Sequence, residues 1–182
     1  EIPKRDWSSD VCSSDLLNIT LENYENKHVF ADIGCYTLGA LPPYNAINTC
    51  VDMGASVTMA KGAADAGLHP AVAVIGDSTF THSGITGLLD AVNDKTPMTL
   101  IISDNYTTAM TGGQDSAGTN KLQQICEGIG VEREHIHTIV PLKKNLEENI
   151  ATLKAAFDYE GVSVILACRE CIQTLRRKNS KK

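Results

Sequence analysis

The sequence predicts an α/β fold built as three layers, α/β/α, around a mostly parallel sheet. Three observations carry that prediction. Short, almost wholly apolar runs recur at residues 71–75, 98–102 and 162–167. Segments with helical periodicity lie between them, and small or polar residues close each run. Strands covered on both faces read as unbroken apolar runs, and strand–helix alternation is how parallel neighbours are connected.

The elements follow in chain order. Residues 1–16, EIPKRDWSSDVCSSDL, stand apart: Ser-Ser-Asp occurs twice, apolar periodicity is lacking, and the single tryptophan, Trp7, is here. They are set aside as a non-native or disordered leader, a genuine flexible arm being the other reading. Residues 17–175 then form one domain and 176–182 a basic tail. Residues 28–33 make a short strand running into Gly34-Cys35-Tyr36. A loop with Pro42-Pro43 leads to Asp52-Met53-Gly54. Residues 56–66 are small and helical, with Gly67 as the stop signal. Strand 71–75, helix 83–93 and strand 98–103 follow. The polar loop 105–118 is long for a plain connection. Residues 120–128 read as a helix and 137–140 as a short strand. In 146–157, Leu146, Ile150, Leu153 and Phe157 share one helix face. Strand 162–167 closes the set.

At 182 residues the chain suffices for one well-cored domain. Sixteen basic against 22 acidic residues leave a net charge of −6, which disfavours nucleic acid as a partner. The basic cluster, Arg176-Arg177-Lys178 to Lys182, has the character of a solvated end. No apolar run approaches bilayer-spanning length, and the N-terminus lacks a signal-peptide core. Cys12, Cys35, Cys50, Cys126, Cys168 and Cys171 are scattered, which suits reduced thiols in a cytoplasm. Cys168 and Cys171 form a lone C-x-x-C, better explained as cysteines at a strand end than as a metal site.

Chemistry concentrates in 76–114, GDSTFTHSGITGLLDAVNDKTPMTLIISDNYTTAMTGGQ. Asp77 and Asn105 leave the ends of successive expected strands, 28 positions apart. If those strands are parallel neighbours, both side chains emerge at one sheet edge, where open α/β folds bind ligands. Gly76 allows a ligand close to the backbone. Asp77 supplies a hard carboxylate, and Ser78 and Thr79 add hydroxyls and N–H groups before a helix, which favour an anion. Asn105 offers an amide oxygen and Thr107 a carbonyl, so a hard divalent cation bridged to phosphates fits. The plain alternative is two ordinary turns.

Gly76-Asp77-Ser78 with Asp104-Asn105 resembles the thiamine diphosphate (ThDP) motif. DIGCYTLG (32–39), CVDMGASVTMAKGAA (50–64), GDSTFTHSGITGL (76–88) and TAMTGGQ (108–114) resemble the ThDP domain of the indolepyruvate ferredoxin oxidoreductase large (alpha) subunit. The similarity runs over about 27–170 and implies a ThDP-binding fold, specifically its diphosphate-binding domain. It implies Asp77, Asn105 and the Thr107 carbonyl as Mg²⁺ ligands, and Gly76, Ser78 and Thr79 at the diphosphate. Gly34, Cys35 and Tyr36 would lie near the same cofactor, and Asp52, Met53 and Gly54 beside its rings. Met53 reads equally as the wedge that bends ThDP or as core filler. Met110, Thr111 and Gln114 would belong to a loop over the cofactor. His82 is the catalytic candidate, stabilising a 2-oxoacid carboxylate or shuttling protons; a solvated loop histidine is the alternative.

The resemblance implies oxidative decarboxylation of aryl-2-oxoacids to acyl-CoA, with coenzyme A and ferredoxin as partners. It further implies an activating glutamate from a pyrimidine-binding domain, a small subunit, and a homodimeric or heteromeric assembly. Iron–sulfur clusters are expected only in the full-length enzyme, and the chain by itself is expected to be inactive. Two other readings stand: a subunit of a non-oxidative ThDP-dependent decarboxylase of the sulfopyruvate or phosphonopyruvate type, and a non-catalytic α/β assembly module.

Overall fold

A computed structural model describes residues 13–108 and 113–170. Six strands form one sheet: β1 (Val29–Ala31), β2 (Thr49–Cys50), β3 (Val72–Gly76), β4 (Met98–Asp104), β5 (Ile136–Ile139) and β6 (Val162–Cys168). Their order is β2-β1-β3-β4-β6-β5, and every pairing is parallel. Successive side chains of a strand face opposite ways. Accordingly Ala73, Ile75, Leu100, Ile102, Val164 and Leu166 enter one core, while Val72, Val74, Ile101, Ile165 and Ala167 enter the other.

The first core is closed by α2 (Ala55–Asp65), α4 (Ile85–Asn93) and α5 (Leu122–Ile129). Val57, Ala60, Leu88, Ala91, Leu122 and Cys126 are their inward residues. The second is closed by α1 (Ser13–Leu21) and α6 (Leu146–Asp158), through Leu16, Leu17, Leu153 and Phe157. The outcome is the expected α/β/α sandwich, with a sheet more uniformly parallel than the sequence required.

Three local differences matter. Residues 13–16 lie in α1, and Leu16 is 1% exposed. The Tyr24 hydroxyl, just past α1, donates to Asp158 Oδ1 at 2.6 Å and ties that region to α6. The helix expected from 83 instead starts at Asp77, as α3 (Asp77–Thr79), a π-helical segment (Phe80–Gly84) and then α4. Its sequence has no proline between Gly76 and Asn93, and Phe80 anchors the first turn by full burial. Cys35–Ala40, read as loop, is a 3₁₀ helix. Among the described residues no helix is long and apolar enough to cross a membrane.

Candidate functional site

The strand ends converge. β3 pairs with β1 and with β4, all parallel, so Asp32, Asp77 and Asp104 arrive at the same carboxyl edge. The chain's path also reverses here: β2 lies on one side of β1 and β3 on the other. Such a switch point opens a crevice outside the strand ends.

Asp77 sits at its centre, 3% exposed. Burial pushes its carboxyl above the usual range, opposed by the Ser78 N–H and the Ser116 hydroxyl, while the Asp104 charge pushes it further up. Asp77 Oδ2 is buried without a hydrogen-bond partner. Ser78 and Thr79 lie inside the first helical turn rather than ahead of it. Gly76 continues the strand, and a Cβ there would stand 3.3 Å from the Tyr36 ring.

Across the edge, Asp104 Oδ1 accepts the Tyr106 N–H at 2.9 Å and Asn105 Oδ1 the Thr107 N–H at 3.0 Å. These bonds bend the loop so that the buried Thr107 turns back toward the sheet. Burial raises the Asp104 carboxyl too, against the Tyr106 N–H and the Cys168 thiol. Thr108 closes the arrangement: its N–H donates to Gln114 O at 2.7 Å and its hydroxyl to Ser78 Oγ at 3.3 Å. The loop after β4 is thereby tied to the helix that follows β3.

The residues present fit a hard cation. A buried, partnerless carboxylate oxygen beside a second raised carboxyl is an arrangement that positive charge relieves. The donors gathered here, a carboxylate, an amide oxygen that keeps a second lone pair, and hydroxyls, are the oxygen set Mg²⁺ takes.

On the other flank, the 3₁₀ helix after β1 places Tyr36 in the crevice with its hydroxyl buried. Burial raises the phenol, as does the Asp32 charge, and the Gly76 backbone and Thr79 hydroxyl oppose them. Gly34 donates its N–H to Thr37 Oγ1 at 2.9 Å, and Cys35 is exposed. Past β2, Asp52 is exposed and Met53 is 45% exposed, so Met53 is not core filler in this structure. Gly54 has φ 93°, a left-handed conformation that favours glycine. His82 is exposed on the π-helical segment. Met110 and Thr111 lie outside the described residues.

Sequence reasoning passed over three contributors. Asp32 is fully buried and its Oδ1 accepts the Ser56 N–H at 2.6 Å, capping α2 from a neighbouring strand. Its signal lies in the sequence: an aspartate stands at or just past the ends of β1, β3 and β4. Ser116 braces Asp77 and Ser83 bonds to Met53, both contacts made by folding and carrying no motif. A surface hollow lined by His28, Phe30, Ala63 and Leu68 opens at the strands' amino ends, away from this chemistry. It is open and carries no converging charges, so the carboxyl edge remains the site.

Residues 32–167 match the family model described as thiamine pyrophosphate enzyme, C-terminal TPP binding domain. The chain is 38% identical over 152 residues to the indolepyruvate oxidoreductase subunit IorA of Methanothermobacter thermautotrophicus, covering 78% of this chain and 24% of that protein. Archaeoglobus fulgidus has a relative of the same name at 36% identity over 152 residues, with the same coverage. The chain thus spans about a quarter of the length of the curated relatives it matches. Among solved structures, the 2-oxoglutarate:ferredoxin oxidoreductase of Magnetococcus marinus superposes with TM-score 0.68 at 16% identity, over 87% of this chain and 61% of that one. The benzoylformate decarboxylase of Polynucleobacter necessarius superposes with TM-score 0.63 at 18% identity, over 86% and 32%. Those two likenesses concern the fold. With the buried Asp77 at the switch point and a family match over 32–167, the chain belongs to the C-terminal TPP-binding domain family of thiamine pyrophosphate enzymes.

Proposed function

We propose that this chain holds the Mg²⁺–diphosphate end of ThDP in a 2-oxoacid ferredoxin oxidoreductase acting on indolepyruvate or a related arylpyruvate. The observation that carries the reading is the Asp77 carboxylate, buried at the strand edge with one oxygen unpartnered. Asp77, Asn105 and the Thr107 carbonyl would hold Mg²⁺. Gly76, Ser78 and Thr79 would meet the diphosphate, with Gly34, Cys35 and Tyr36 on the neighbouring wall. Asp52, Met53 and Gly54 would take the ring end, and Met110 and Thr111 the covering loop. The relatives named indolepyruvate oxidoreductase support the substrate class.

When bound, ThDP supplies the nucleophilic carbon that cleaves a 2-oxoacid between its carbonyl and carboxylate. This chain's residues anchor and orient: the raised carboxyls of Asp77 and Asp104 favour cation capture, and Tyr36 packs over Gly76. The exposed His82 is the candidate to hold a proton or meet the substrate carboxylate. The whole enzyme would release CO₂, pass the acyl group to coenzyme A and send electrons through iron–sulfur clusters to ferredoxin. A pyrimidine-binding domain and a small subunit would complete the assembly, working in the cytoplasm. An apolar rim of Ile33, Leu38, Val51 and Met53 beside the strand ends supports such a covering partner.

Calorimetric titration of the full-length gene product with ThDP and Mg²⁺ tests the reading. Asp77→Asn should weaken Mg²⁺-dependent binding by on the order of a hundredfold, since even residues behind metal ligands cost roughly 10–100-fold. Unchanged affinity in that variant would remove the site from Asp77.

A further inference from the structure

The turn at Met53–Gly54 and the helical run that begins with Asp77 belong to different strand ends. They come after β2 and β3, which are separated in the sheet by β1. At roughly 4.8 Å between neighbouring strands, that is about 10 Å across the edge. One side chain links the two. Ser83 Oγ donates to the Met53 carbonyl at 2.8 Å. The same serine packs on Gly54: a Cβ at that glycine would stand 2.7 Å from Ser83 Oγ and 2.8 Å from Ser83 O.

Ser83 lies in the π-helical segment Phe80–Gly84, between α3 and α4. A π-bulge rotates the residues after it relative to an unbroken α-helix and often marks a functional site. Beneath it, Gly84 and Phe80 are buried against the sheet, which fixes the segment from which Ser83 projects. Asp32 holds the turn from the opposite side by accepting the Ser56 N–H. Met53 therefore stands 45% exposed on a backbone restrained at its carbonyl, at its left-handed glycine and at the start of α2.

We propose that Ser83 is a positioning residue that sets the ring-side turn, Met53–Gly54, at a fixed distance from the diphosphate-side helix. It acts through Met53 and touches neither phosphate nor metal. The inference rests on the ThDP reading given above. It adds a linkage within this chain between the two ends of one cofactor pocket.

The two ends can be probed separately in the full-length gene product. ThDP with Mg²⁺ engages both; inorganic diphosphate with Mg²⁺ engages the Asp77 end alone. Ser83→Ala should raise the ThDP dissociation constant roughly 3- to 10-fold, the range of one partly exposed hydrogen bond. The Mg²⁺–diphosphate constant should change by less than about twofold on the same grounds. Equal weakening of both ligands would make Ser83 merely structural, and no change in either would remove its role; both results overturn the proposal. Should the unaltered protein bind neither ligand, the ThDP reading itself falls and takes the proposal with it.

Discussion

Asp77 and Asp32 are both buried carboxylates, yet they answer to different demands. Each keeps its Oδ2 buried without a partner, but that of Asp77 stands at the end of β3, in the crevice where a cation would complete it. Asp77→Asn should therefore raise the melting temperature of the metal-free chain while removing the stabilisation that Mg²⁺ and ThDP confer, a trade expected at binding sites. Thermal melts with and without both ligands check it. Asp32 instead earns its position by capping α2 through Ser56, although burial still holds its carboxyl above the ordinary 3.8. Below 3.8 folded and unfolded chains both carry the proton. As pH climbs, the unfolded chain ionises first, and folding loses stability until the raised folded value is passed. Asp32→Asn keeps an accepting oxygen and no charge, so it should flatten that loss in a pH series of denaturant melts. A profile as steep as that of the unaltered chain would leave the slope to Asp77 and Asp104.

Helices α2 and α4 are fastened at their ends by a single cation. Lys61 Nζ lies 2.9 Å from Asp65, 3.5 Å from Asp90 and 2.8 Å from Asp94, which raises the ammonium pKa. Replacing it, Lys61→Met, leaves three carboxylates facing one another across two helices. The melting temperature should fall, and the deficit should shrink in high salt, which screens that repulsion. Gly54 stands at the N-cap of the first of these helices, α2. Gly54→Ala should destabilise by about 1 kcal/mol or more, from the left-handed φ together with the approach of Ser83. Elements like β3, β4 and β6 were legible because a doubly covered strand is apolar throughout. The strand-end pair Asp77 and Asn105 was legible because motif and strand end coincide. α1 was hidden because Ser-Ser-Asp repeats masked Leu16 and Leu17, whose core role depends on α6, far away in sequence. β2 is two residues long and exists only by pairing with β1. The π-helical segment, and with it the reach of Ser83 to Met53, has no sequence signature, since it arises from packing Phe80 and Gly84 under the crevice.

Among the described residues, helices cover both sheet faces and leave the carboxyl ends of the strands uncovered. α1 and α6 cover one face, α2, α4 and α5 the other, and large apolar side chains collect where the strands finish. Leu38 is 58% exposed, Val51 55% and Ile33 51%, all in the segments that follow β1 and β2. Scattered exposed apolar residues need no explanation, but a group rimming a ligand crevice marks a surface that something covers. The proposed pyrimidine-binding domain, expected to bring the activating glutamate, is the occupant that suits the crevice chemistry. Leu38→Glu combined with Val51→Glu separates that role from folding. Exposed substitutions usually shift stability by only about 0.5 kcal/mol each, so the melting temperature of the 182-residue chain should hardly move. In the full-length product the same pair sets two charges against a desolvated contact, and ThDP-dependent 2-oxoacid turnover should fall together with subunit or domain association in sedimentation. Turnover and association both undiminished would show that the rim stays open to solvent and that the crevice is completed from another side.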